Sequence, residues 1–262
     1  MSTGDETVVD LDQTGDVLLD VVDGVATVTI SNPGRRNAIS VSMARRLAAV
    51  ADQIDADESV YACILAGEGD HFCAGAVSGA LDLTGSGPAS PHHYERSTAV
   101  YSAIARVAEL RVPSIAAVAG AAVGAGMNLM LATDVRVVAS DARLISGFTR
   151  IGVHPGGGHG ALLASRSRPE AVIAMAIFNQ EVKGADAPGL GLAWKAVPKE
   201  ELEQTARSIA SAAGTDAALV RAATRSLRLT SRQTGALDAA IEIERGPQMW
   251  SLARRADADP NR

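Results

Sequence analysis

Short apolar runs alternate with amphipathic ones through residue 198. Val17 to Val22 and Val25 to Ile30 read as two strands, joined at Asp23-Gly24, a pair that favours a tight hairpin. Asn32 to Asn37 is a loop. From Ser40 onward Met43, Leu47, Val50 and Ile54 recur at helical spacing, which predicts a helix to about Asp57. Val60 to Leu65 is the next predicted strand. Residues 78–91 are rich in Gly, Ser and Pro and read as a mobile loop. His92 to Leu110 reads as a helix with Tyr94, Tyr101, Ile104 and Val107 on its inner face.

The stretch from Val112 to Ala139 organises the middle of the chain. Ser114 to Val118 is an apolar strand, and a turn of small residues follows from Gly120 to Gly126. Helix formers run from Met127 to Ala132, and Val135 to Ala139 is a second strand after Asp134. Arg143 to Ser146 reads as a short strand, and Gly156 to Gly160 opens another helix. Ser167 is placed to cap a helix with Pro169 in its first turn, ending at Phe178. Ala185 to Leu190 reads as a short helix and Ala193 to Val197 as a strand. From Lys199 only helical periodicity remains, with breaks near Gly214-Thr215 and Ser231. Strands alternating with helices, then helices alone, specify an α/β fold with a helical tail. The organisation expected is a disordered segment at 1–15, a core at 16–198 and a helical region at 199–262.

Composition narrows the function classes. A chain of 262 residues, 47% hydrophobic and 21% charged, suits one large domain or a core with a small appendage. Aromatics are 3%, so the core is built from Ala, Val, Leu and Ile. A net charge of -6 argues against a nucleic-acid partner. No apolar run is long enough to span a bilayer, and the acidic start lacks the basic and apolar regions of a signal peptide. The expectation is a cytoplasmic protein with no membrane partner. Cys63 and Cys73 make neither a metal spacing nor a disulfide framework, so no metal is expected.

The chemistry lies in the small-residue turns. Strand, glycine-rich turn and helix start together leave backbone N–H groups aimed at one point. Such a turn can host an anion or a developing oxyanion, or it can serve close packing alone. A second loop of the same kind, Ala74-Gly75-Ala76 within HFCAGAV, sits at a strand end. Two further segments are Asn32-Pro33-Gly34-Arg35-Arg36-Asn37-Ala38 and Ile151-Gly152-Val153-His154-Pro155-Gly156-Gly157-Gly158. In this order and spacing the four resemble the crotonase superfamily, also called the enoyl-CoA hydratase/isomerase family.

The resemblance implies a spiral of ββα units, an acyl-CoA thioester as substrate and no cofactor beyond the coenzyme A of that substrate. It implies lyase or isomerase chemistry in fatty-acid or related acyl-CoA metabolism. It also implies a homotrimer, or a hexamer as a dimer of trimers, with helices from 199–262 between subunits. By position, the amides of Ala76 and Ala125 would form the oxyanion hole, with Ala74, Gly75 and Gly124 shaping its loops. Arg35 and Arg36 either meet a CoA phosphate or form a solvated pair.

The sequence departs from the family where acid/base groups belong. Hydratase relatives use two glutamates; the matching positions here are Asn128 and Phe148. Relatives with an aspartate after the proline would place it at 156, here Gly156. An amide can hold a water but cannot take its proton at neutral pH, so ordinary hydratase activity is not expected. His154 is either a base in the Pro-Gly turn or a histidine bonded to backbone. His159 reads as structural. Three readings remain: an enzyme that stabilises a thioester enolate, a non-catalytic acyl-CoA binder or carrier, and a purely structural subunit of a mixed oligomer.

Overall fold

In the computed structural model, residues 15–77, 91–214, 216–231 and 236–258 are described. The expected disordered N-terminus and nearly all of the loop at 78–91 lie outside them. Asp23 (φ 50) and Gly24 (φ 76) both take left-handed backbone. They fold β1 (Asp16–Val22) back onto β2 (Val25–Ser31) with Val22 paired to Val25, as a two-residue hairpin requires. β1 is the sheet edge and leaves Leu18, Val21 and Val22 exposed.

From β2 onward the large sheet is parallel. β3 (Ala62–Gly67), β4 (Ser114–Val118), β6 (Val135–Ala139) and β9 (Lys195–Val197) follow in the order β1-β2-β3-β4-β6-β9. A smaller sheet holds β5 (Ala121–Val123), β7 (Arg143–Ile145) and β8 (Val182–Lys183). The helices are α1 (Val41–Ala56), α2 (Pro91–Ala108), α3 (Ala125–Ala132) and α4 (His159–Arg166). β4-β5-α3 and β6-β7-α4 are successive ββα units, each giving one strand to each sheet. β3 is followed by an isolated parallel bridge at Cys73 to Ala122, which continues the small layer before α2. This is the spiral that the resemblance implies.

Several elements differ from the sequence reading. β3 starts at Ala62, because Val60 and Tyr61 bond back to Asp57 and Gly24 as the chain enters the sheet. β5 lies inside what reads as a turn; three residues, of which only Ala122 is buried, carry no visible period. Ser167 does not cap α5 (Pro169–Ala176). Its hydroxyl donates to the Leu163 carbonyl at 2.7 Å and so closes α4, while Pro169 fixes the entry to α5. Ala185 to Leu190 is two 3-10 turns, Gly184–Asp186 and Pro188–Leu190; Pro188 supplies no N–H to continue one helix. Tyr94 is 45% exposed rather than on the inner face of α2, which Tyr101, Ile104 and Val107 do line.

The C-terminal helices embrace the same chain. α6 (Leu202–Ser211) packs on β3, β4 and β6. α7 (Ala217–Ser231) is tied down by Arg221, which donates to the carbonyls of Ile54, Asp55, Asp57 and Val60. α8 (Ala236–Ala258) lies against α2 and α4. No helix of the described residues is long and apolar enough to cross a membrane.

One polar knot joins α7 to the central strands. The Asp134 carboxylate accepts from Ser114 N and Oγ, both at 2.9 Å, and from Arg228 Nε at 2.9 Å. Arg228 also donates to the Leu110 carbonyl and, at 3.1 Å, to the Val112 carbonyl. Arg228→Met keeps the apolar stem but leaves a half-buried carboxylate and two carbonyls short of donors. The expected loss of stability is about 2–4 kcal/mol, read from urea unfolding. A loss under about 0.5 kcal/mol, the size of an ordinary surface change, would contradict the knot's role.

Candidate active site

The two small-residue loops are stitched together backbone to backbone. Cys73 N donates to the Ala121 carbonyl at 3.1 Å, and Val123 N to the Cys73 carbonyl at 3.0 Å. Phe72 N donates to the Ala119 carbonyl at 2.8 Å. At Gly126 a Cβ would stand 2.2 Å from the Cys73 carbonyl oxygen, so only glycine allows this approach. The segment 32–37 braces the first loop from the other side. Asn37 donates to the carbonyls of Glu68 (2.8 Å) and His71 (2.6 Å) and accepts from Asn32 N at 2.9 Å. Ala74 N donates to the Arg36 carbonyl at 3.0 Å. This bracing role of Asn37 was missed in the sequence, where the segment reads as a loop and a family motif with no role given to Asn37.

Within this frame, the bridge between Ile39 and the first loop uses the carbonyl of Gly75 and the amide of Val77. The Ala76 N–H between them is left over. Ala125 is the first residue of α3, so its N–H has no partner one turn back. Among the described residues no hydrogen bond takes up either N–H, and both alanines are half-buried. Gly124, which caps α3 with φ 52, lets the chain turn so that the Ala125 N–H opens the helix. Arg35 and Arg36 are exposed beside the first loop, and neither guanidinium has an ion-pair partner among the described residues.

The position at 128 is wired inward. Asn128 Nδ2 donates to the Gly156 carbonyl at 2.9 Å, and Oδ1 lies 2.7 Å from His159 Nδ1. A carbonyl only accepts, so the amide nitrogen must face Gly156 and the amide oxygen must face the imidazole. His159 Nδ1 therefore carries the hydrogen and Nε2 holds the lone pair. Nε2 lies 2.8 Å from Ser146 Oγ, whose hydroxyl donates to it. Asn128, His159 and Ser146 are all buried. Phe148, half-buried, packs its ring 5.0 Å from the His159 ring and approaches Gly124. His159 is thus the centre of a polar chain, a role that the sequence reading of a structural residue leaves out.

His154 Nδ1 lies 2.6 Å from the Pro155 carbonyl, within its own turn. Gly156 lies under α8, where a Cβ would meet the Gln248 amide at 2.2 Å. The Glu244 carboxylate accepts from His159 N (3.0 Å) and Gly160 N (2.9 Å), an acidic cap on the start of α4. Burial holds the Glu244 carboxyl above its usual range, opposed by these N–H groups.

Burial pushes the His159 imidazole down to about 4. The unfolded chain, near 6.5, binds the extra proton first, so stability is whole above that pH and falls as the pH drops toward about 4. The loss across that window is expected to approach about 3 kcal/mol. Urea unfolding of wild type and His159→Gln from pH 7.5 to 4.5 checks it. The gap between the two should narrow as the pH falls; parallel curves would contradict the burial of a neutral imidazole.

The comparisons with known proteins agree with this frame. The family model of enoyl-CoA hydratase/isomerase matches residues 20–251. A probable enoyl-CoA hydratase of Mycobacterium tuberculosis is 35% identical over 241 residues, covering 90% of this chain and 92% of the relative. The 1,2-epoxyphenylacetyl-CoA isomerase of Escherichia coli is 29% identical over 245 residues, covering 92% and 91%. Among solved structures, an enoyl-CoA hydratase of Mycobacterium avium subsp. paratuberculosis superposes with a TM-score of 0.77 at 26% identity, over 90% of this chain and 93% of that one. With the spiral of ββα units and the four motifs in order, the chain belongs to the enoyl-CoA hydratase/isomerase family, the crotonase superfamily.

Proposed function

We propose that the protein binds an acyl-CoA thioester and polarises its carbonyl with the N–H groups of Ala76 and Ala125. The observation that carries this reading is the pair of unclaimed amides on two loops locked to each other. Two such donors, fixed before substrate arrives, stabilise an enolate or tetrahedral oxyanion without reorganising. The positive end of α3 acts in the same direction. Ala74, Gly75 and Gly124 keep the approach open, and Arg35 and Arg36, exposed beside the first loop, would meet a CoA phosphate. The reading extends to a cytoplasmic protein of acyl-CoA metabolism, assembled as a trimer or a dimer of trimers. Leu219, Leu227 and Trp250 are exposed on α7 and α8 and suit burial between subunits, whereas Ile241 is already buried within the chain.

A second reading, an acyl-CoA binder without turnover, draws on the wiring of Asn128. Its amide is committed to Gly156 and His159, and Phe148 has no group to activate water. Hydration is therefore the least suited of the family's reactions. Losing one general base commonly costs about 10²–10⁴-fold, and here both positions lack one. Crotonyl-CoA hydration is expected to run slower than in a glutamate-bearing relative by at least that factor, measured as the 3-hydroxybutyryl-CoA formed. Turnover equal to such a relative would overturn this.

The binding half has its own test. Ala125→Val puts a branched side chain at the start of α3 and should weaken butyryl-CoA binding at least tenfold by calorimetry. Unchanged affinity would place the thioester elsewhere.

A further inference from the structure

We propose that Ser146 is an acyl-accepting nucleophile, with His159 as its base and Asn128 as the residue that positions the base, so that the protein cleaves acyl-CoA thioesters through an acyl-serine. The inference rests on the thioester reading above and deepens it. The three side chains form a continuous line, Asn128 Oδ1 to His159 Nδ1 at 2.7 Å and His159 Nε2 to Ser146 Oγ at 2.8 Å. The Gly156 carbonyl fixes the amide, the amide fixes the tautomer, and the tautomer leaves one lone pair facing one hydroxyl. With that lone pair engaged by Ser146, the ring is not set to meet a substrate carbon directly. It is set to take the serine proton.

The hydroxyl also stands in the right part of the fold. β5 and β7 pair with Val123 opposite Ile145, and Gly124 N donates to the Ile145 carbonyl at 3.0 Å. Ser146 is one residue beyond that rung and Ala125 is two residues beyond it on the neighbouring strand. The Ser146 carbonyl lies 3.7 Å from where a Cβ on Gly124 would be. Nucleophile and amide donor thus leave adjacent strand ends in parallel. Ser146 is 1% exposed, and Phe148 is the half-buried ring packed on its imidazole partner. On this proposal, an acyl group that reaches Ser146 enters past that ring.

The step balances without a further reagent. Ser146 Oγ bonds to the thioester carbonyl carbon while its proton passes to His159 Nε2. The oxyanion is held by the N–H groups of Ala76 and Ala125. Collapse breaks the C–S bond, its electron pair leaves on sulfur, and the imidazolium returns the proton to the CoA thiolate. Water then attacks the acyl-serine carbonyl and gives its proton to Nε2. The ester C–O bond breaks, Ser146 recovers a proton, and a carboxylic acid is released. A thiolate is a good leaving group, so a weakly basic, buried imidazole is better matched to a thioester than to an amide.

Butyryl-CoA is the probe, because a saturated chain cannot be hydrated and free thiol reports acyl transfer alone. Wild type should release CoA thiol and, after rapid acid quench, carry the mass of one butyryl group on the peptide holding Ser146. Ser146→Ala and His159→Gln should each lower thiol release at least about 100-fold. Asn128→Ala should lower it with butyryl-CoA affinity within twofold, and Asn128→Asp, which can still accept from Nδ1, should retain more. Phe148→Ala should raise it. Wild type that binds butyryl-CoA by calorimetry but releases no thiol would overturn the proposal and leave the binding reading intact. Wild-type release by Ser146→Ala would overturn it as well. Failure of wild type to bind butyryl-CoA would overturn both.

Discussion

The site depends on one close contact, the backbone of Cys73 laid against the turn that starts α3. Two hydrogen bonds make that contact, and the missing side chain of Gly126 permits it. Everything useful about the loops follows. Cys73 fixes where Ala76 falls three residues later, and the same turn fixes Ala125. The amides are then spaced by backbone geometry rather than by side chains, which is why small residues suffice at both places. Such a frame is stiff: Asn37 braces it from the segment at 32–37, and the buried α3 supports it from below.

The frame holds positions 128 and 148 in place whatever side chains they carry. Asn128 and Phe148 project from elements that the locked loops and the small sheet already hold. A change of side chain there alters what can move a proton, not where the backbone goes. The structure uses the freedom to build an internal polar chain of Asn128, His159 and Ser146, in which each donor has an acceptor. A buried chain of this kind is tolerable only when satisfied along its length, and the Gly156 carbonyl at one end provides that.

Much of the fold was legible in the sequence. The hairpin at Asp23-Gly24, the helix over 41–56 and the apolar strands β4 and β6 all follow from local pattern, because each is long enough to show its period. The family frame was legible from four motifs whose order carried more than any one of them. Elements of two or three residues, such as β5 and β8, were not, since no period fits into them. The Ser167 cap was misread because a serine hydroxyl between two helices can serve either, and the carbonyl of Leu163 claims it. The line through His159 joins residues at 128, 146 and 159, and only the pairing of β5 with β7 and the packing of α4 on α3 bring them together. Glu244 was invisible for the same reason: it caps a helix start 85 residues earlier in the chain.

The central claim is that two fixed amides hold the thioester oxygen, and the carbonyl bond itself reports this most directly. Isotope-edited infrared difference spectra of butyryl-CoA, labelled with 13C at the thioester carbonyl, isolate that bond in the complex. The account predicts that the stretch moves to lower frequency on binding to wild type, as charge is drawn onto the oxygen. A stretch that stays at its solution position when the protein is saturated would contradict it.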